Sequence, residues 1–201
     1  MFKTPKFFRI VPLVLIPLIL TSCAVSKKQK AAQSLSDTLR SSYKCEISFT
    51  VHGKENDYTG NASVSKNGPV TKLDIHSPDP YSGMSIEYNV SGHPESIALH
   101  FSGMDVTLPE NALARINPLT SLFADDFASV VSKLPNEAVT EYEKDGKTAY
   151  CAVVPYANAN VSLHFSDCGT VLYMMEYSSP DFSAELTFDS FKCEVINIGN
   201  E

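Results

Sequence analysis

Tyr43-Lys44-Cys45-Glu46-Ile47-Ser48-Phe49-Thr50-Val51 alternates apolar and polar side chains without a break. Successive side chains of a strand point to opposite faces, so a period of two describes a strand with one buried and one wet face. The same pattern returns along the chain. Tyr58–Ser65 follows a turn around His52–Asp57, and Lys66-Asn67-Gly68 is a hairpin signal. Val70–His76, Met84–Val90, Ile97–Phe101 and Met104–Leu108 come next, divided by Ser77-Pro78-Asp79-Pro80, Ser91-Gly92-His93-Pro94 and Ser102-Gly103. Short strands joined by tight turns predict an antiparallel meander. No crossover helices separate them, which excludes a parallel α/β fold.

The alternation is interrupted once, over Pro109–Pro135. Asn117 suits an N-cap and Pro118 the first helical position. Leu119, Leu122, Phe123, Phe127, Val130, Val131 and Leu134 then keep helical spacing, and Pro135 ends the run. A stripe this wide needs a large apolar partner, and the inner face of the sheet is the candidate. Burying seven such side chains is worth about 10–20 kcal/mol, which makes residues 118–134 a core element. Asp125 and Asp126 lie off the stripe and read as a solvated face.

After the helix the meander resumes through Ala138–Lys144, Thr148–Pro155, Val161–Phe165 and Val171–Tyr177, and ends on Phe182–Cys193. In the last segment Phe182, Ala184, Leu186 and Phe188 share a phase that slips to Phe191 and Cys193. A slip of one residue predicts a bulge near Asp189-Ser190. Upstream of the first strand, Ala31, Ala32, Leu35 and Leu39 give a narrow stripe that predicts a surface helix. The sum is about eleven strands, that N-terminal helix and one long amphipathic helix.

The first 22 residues read differently. Lys3, Lys6 and Arg9 precede an apolar run of eleven residues, Ile10–Leu20, and Leu20-Thr21-Ser22-Cys23 follows. About 20 residues are needed to cross a bilayer as a helix, so the run is a signal-peptide core and not a span. A branched aliphatic, two small residues and a cysteine resemble the bacterial lipobox, which implies cleavage before Cys23 and diacylation of its thiol. The expected organisation is a signal peptide over 1–22, a lipidated tether over 23–27 and a single domain over 28–201. It places the protein outside the cytoplasm, anchored to a bacterial membrane, with a Gram-positive cell membrane favoured over an outer membrane.

Removing the three signal-peptide cations from 16 leaves 13 Lys and Arg against 23 Asp and Glu, a net charge of −10. That balance argues against nucleic acid and against attraction of the body to anionic headgroups. The five histidines, His52, His76, His93, His100 and His164, fall at no metal-ligand spacing, and neither do the cysteines. No phosphate loop, G-x-S-x-G or H-E-x-x-H occurs. Neither an enzyme nor a cofactor or metal site is expected, and the chain is expected to be a monomer.

Cys45, Cys151, Cys168 and Cys193 permit two disulfides in three pairings, or four free thiols. If a disulfide exists, Cys168–Cys193 is the pair expected. A last hairpin turning near Ser179-Pro180 sets position 168 almost opposite 193, and facing strands bring Cα atoms to about 4.5–5.5 Å, inside disulfide range.

The order of elements, from signal and surface helix through six strands and a Pro-flanked helix to the final strands, resembles the LolA/LolB/LppX family of lipoprotein carriers. Asn117-Pro118-Leu119-Thr120-Ser121-Leu122-Phe123 resembles the start of that family's helix. Val161-Ser162-Leu163-His164-Phe165-Ser166-Asp167-Cys168-Gly169 resembles its C-terminal strand and turn. The resemblance covers nearly all of residues 27–193 and is one of architecture more than of identities. The family usually carries tryptophan, and this chain has none. It implies an unclosed antiparallel half-barrel of the mainly-β, α+β class, with the long helix in its concave face and acyl chains or a lipoprotein held there. Ile47, Phe49, Leu163 and Phe165 from strands, with Leu122, Phe123, Phe127 and Val130 from the helix, would line that cavity. The alternative is a structural or partner-binding envelope lipoprotein in which the same helix fills the half-barrel as its core.

Overall fold

The computed structural model describes residues 26–54, 56–89, 96–109, 122–123, 125–156 and 158–193. The signal peptide, Cys23 and the expected helix start at Asn117-Pro118 lie outside these residues. Helix α1 (Lys27–Arg40) leads into β1 (Tyr43–His52), β2 (Asp57–Asn67), β3 (Val70–Ser77), β4 (Ser85–Asn89), β5 (Ser96–Phe101) and β6 (Met104–Pro109). Helix α2 (Asp125–Val131) and a 3₁₀ turn (Asn136–Ala138) precede β7 (Val139–Lys144), β8 (Lys147–Tyr156), β9 (Ala159–Ser166), β10 (Leu172–Ser178) and β11 (Ser183–Cys193).

All eleven strands form one antiparallel sheet in the order β6-β5-β4-β3-β2-β1-β11-β10-β9-β8-β7. Every pairing but one joins chain neighbours, as a meander requires. The exception brings β1 against β11, so the sheet's centre is stitched from the two ends of the domain. Its free edges, β6 and β7, are consecutive in the chain, which makes this an unclosed half-barrel. The expected bulge is present. Glu46 pairs with Ser190 and Ile47 with Phe188, leaving Asp189 as the extra residue, and Ser48 Oγ donates to its carboxylate at 2.9 Å. The slip lets Phe188 and Phe191 both face inward, where Phe191 stacks on Tyr43 at 5.1 Å between ring centroids.

Helix α1 starts at Ser26, whose side chain accepts from the Gln29 N–H at 3.1 Å, and it ends on Arg40, a cation suited to the helix C-terminus. Its buried stripe is wider than the sequence predicted, taking in Ser36 and Thr38 beside the four apolar residues. The reason is α2, which lies against it: Ser36 Oγ donates to the Ala128 carbonyl at 2.7 Å. Among the described residues, helix occupies only Asp125–Val131 of the expected 118–134, and Leu122–Phe123 is a turn. At the far end Lys133 and Leu134 donate three residues back, to Val130 and Val131. This tightened last turn closes the helix before Pro135.

Candidate functional site

Cross-strand partners in an antiparallel sheet present their side chains on one face, so the register fixes the floor of the half-barrel residue by residue. One row runs across β1 to β6 as Cys45, Val64, Leu73, Ile86, Leu99 and Val106. The row beside it passes through Ile47, Ala62 and Ile75 and ends on the pair Phe101 and Met104.

The two halves of this floor differ in cover. Helices α1 and α2 pack on each other and over β7 and β8. Under them the side chains close into one apolar cluster. Near β6 the same face is open: Phe101 is 37% exposed, Val106 47% and Met104 61%. Between these extremes Ile86, Tyr88 and Ile97 form a second small cluster, with Leu73, Ile75, Met84 and Leu99 half-buried against it. The opposite face of β5 and β6 is polar, and there His100 Nδ1 lies 2.6 Å from Asp105 Oδ1. A strand with one wet face and an apolar face that stays exposed marks a surface made to be covered.

The eight residues expected to line a cavity are brought together, all in or against the helix-side cluster. Leu122, Phe127, Leu163 and Phe165 are fully buried there, Ile47 and Phe123 nearly so, and Phe49 and Val130 stand at its margin. The open floor residues Leu99, Phe101, Met104 and Val106 were not among them. Their alternation was visible in the sequence, but nothing in it said which half of the sheet the helices would leave bare.

Polar side chains enter the concave face along a third row, where Lys66 pairs with Thr71 and Thr71 with Tyr88. Lys66 reads in the sequence as a turn residue; instead it is the last residue but one of β2, with its side chain 1% exposed. Its Nζ donates to the Leu39 carbonyl at 2.9 Å and to Asp125 Oδ1 at 2.6 Å. Asp125 stays on the solvated side, its side chain 42% exposed, and is at the same time the counter-ion of a buried ammonium. The pair ties the C-terminus of α1 and the N-terminus of α2 to the sheet.

The convex face carries the nearest approach to a catalytic arrangement. Cys151 Sγ lies 3.8 Å, and Glu176 Oε2 3.4 Å, from the same atom, His164 Nε2. A nucleophile–base–acid relay uses both ring nitrogens, one for each partner. Burial, followed by the charge of Glu176, raises the Cys151 thiol above its ordinary range, which opposes the thiolate a nucleophile needs. Beside it a polar groove of about 310 Å³ is lined by Glu176, Glu185, His52 and small polar residues. Among the described residues no group of three His, Cys, Asp or Glu side chains is placed to hold a metal ion.

The expected disulfide is corrected. Cys168 is a free, exposed thiol, as Cys45 and Cys151 are free within the protein. The hairpin arithmetic holds along β10 and β11, where Met174 faces Thr187, but position 168 lies before β10. The turn that carries it folds against α1, with Gly169 beside Ala31 and Leu35, while Cys193 pairs with Tyr43 on β1. Hydrogen bonds from Ser166 and Thr170 lower the Cys168 thiol below its ordinary range. Burial pushes Cys45 up to about 12.

No protein-family model matches the chain, and no curated protein matches it. Solved structures of similar architecture include a LolA superfamily protein from Nitrosomonas europaea, at 9% identity over 84% of this chain and 94% of that one, with a TM-score of 0.42. The lipoprotein LppX of Mycobacterium tuberculosis is similar at 13% identity over 87% and 100%, TM-score 0.46. An uncharacterised conserved protein from Thermus thermophilus is similar at 12% over 84% and 88%, TM-score 0.49. These likenesses concern the fold, and no ligand or residue role is transferred from them.

Proposed function

We propose that this chain is a membrane-anchored lipoprotein that binds an acyl chain, free or carried by a lipid or lipoprotein, on the open half of its concave face. The observation that carries this reading is the contrast across one floor. The helix-covered half is filled, while Phe101, Met104 and Val106, beside the half-buried Leu99, present a continuous apolar surface to the outside. Covering such a surface with an apolar chain releases about 25 cal/mol for each Å² removed from water. Cys23 supplies the anchor in this reading. Among the described residues no helix is long and apolar enough to cross a membrane. The role is binding, by a monomer in the bacterial envelope, without catalysis or a cofactor.

A second reading has its own support. The packing beneath α1 and α2 is that of an ordinary core, as in a structural or partner-binding lipoprotein. A titration with a fluorescent polyene fatty acid separates the two. Saturable binding to the purified protein that is lost in Met104→Asp, with the melting temperature kept, supports the acyl-chain reading. Absence of saturable binding to the wild-type protein supports the other.

A further inference from the structure

We propose that the ligand is a single-chain amphiphile with an anionic head, a long-chain carboxylate, and that Lys66 receives that head while the tail lies across β3 to β6. This rests on the acyl-chain reading and adds to it the chemistry of the head.

Lys66, Thr71 and Tyr88 stand side by side on the concave face, at 2%, 0% and 5% exposure. A binding site for an apolar ligand is typically a greasy surface with a few convergent polar groups that fix its orientation. These three are such groups. The Lys66 ammonium has three N–H donors, of which Leu39 and Asp125 take two. Thr71 Oγ1 is fully buried, and its side chain hydrogen-bonds with that of Tyr88. That mutual bond spends one of the two O–H protons, so beside the buried cation one O–H is left to donate to an acceptor. Burial raises the Tyr88 phenol above its ordinary range, so it remains a donor. Cation, hydroxyl and phenol together form a donor set for a carboxylate.

Charge balance fits the same ligand. A buried ammonium requires an anion, and Asp125 provides it with its own side chain 42% exposed. The carboxylate of a ligand can take the place of Asp125, which turns to water, and the buried cation stays paired throughout. No bond is made or broken and no proton moves. From this row the tail has only to step to the neighbouring row of Leu73, Ile86, Leu99 and Val106. Three strand spacings from β3 to β6 give it a floor about 14 Å wide.

The test measures dissociation constants of the purified full chain for laurate, dodecanol and dodecyl phosphate, which carry twelve carbons each. Laurate is expected to bind at least tenfold tighter than dodecanol, and tighter than dodecyl phosphate. Lys66→Met should bring the laurate-to-dodecanol ratio to about one. Asp125→Asn removes the internal competitor and should raise that ratio severalfold, a change that a purely structural ion pair would not produce. Equal binding of laurate and dodecanol by the wild-type chain overturns the head assignment and leaves the apolar floor standing. Tighter binding of dodecyl phosphate overturns the carboxylate, and an unchanged ratio in Asp125→Asn overturns the exchange. If none of the three ligands binds, the acyl-chain reading itself fails.

Discussion

A β-carbon on Gly169 would stand 2.1 Å from the Ala31 carbonyl oxygen and 2.8 Å from the Leu35 backbone nitrogen. The β9–β10 turn and α1 thus meet backbone to backbone, at a residue whose φ of +72° already favours glycine. Gly169→Ala is predicted to cost about 2–3 kcal/mol, through clash as well as strain. Gly146, at φ +73° with open space around it, isolates the strain: Gly146→Ala should cost about 1 kcal/mol. Equal losses of melting temperature in the two variants would show that α1 is not seated as described.

Phe127 is fully buried and meets Tyr156 edge-on at 5.0 Å. Phe127→Ala should cost about 3–5 kcal/mol, and Phe127→Asp should abolish cooperative melting by placing a charge without a partner in the core. A cooperative transition at the wild-type temperature in Phe127→Asp would remove α2 from the core.

Much of this architecture was legible in residues 43–193. Alternation found the strands, and the slip from Phe188 to Phe191 found the bulge at Asp189, because both are local consequences of the pleat. The β1–β11 pairing was not legible, since register between distant strands leaves no short-range mark. Lys66 was misread for a related reason: Lys-Asn-Gly is a turn signal, but the turn begins two residues after the lysine, at Gly68, and burial of its side chain depends on α1 and α2. The same tertiary contacts gave the exposed Asp125 a buried partner. The apolar floor of β5 and β6 was visible as alternation, while its exposure depends on where the helices lie.

Cys168 is predicted to be the first of the described thiols to react with iodoacetamide in the native protein. The thiolate is the nucleophile, so a thiol held below its ordinary range has more of the reactive form at neutral pH, and its rate should level off at lower pH than that of Cys151. Cys45, buried and pushed up to about 12, should react only on unfolding. A Cys168 peptide joined to Cys193 in unreduced maps would contradict this.

Cys23→Ala tests the anchor. The variant should leave the membrane fraction and appear in the soluble one. Retention on membranes after a high-salt wash would mean that something other than a lipid on Cys23 holds the protein there.

The central claim is that an apolar chain lies on the floor from β3 to its open edge at β6. The direct measurement is photocrosslinking of the native protein with a fatty acid carrying a diazirine near its tail, followed by peptide mapping. The account predicts saturable crosslinks within residues 70–109, displaced by unlabelled fatty acid and concentrated on Leu99, Phe101, Met104 and Val106. Crosslinks confined to the convex face, or none that unlabelled fatty acid displaces, would contradict it.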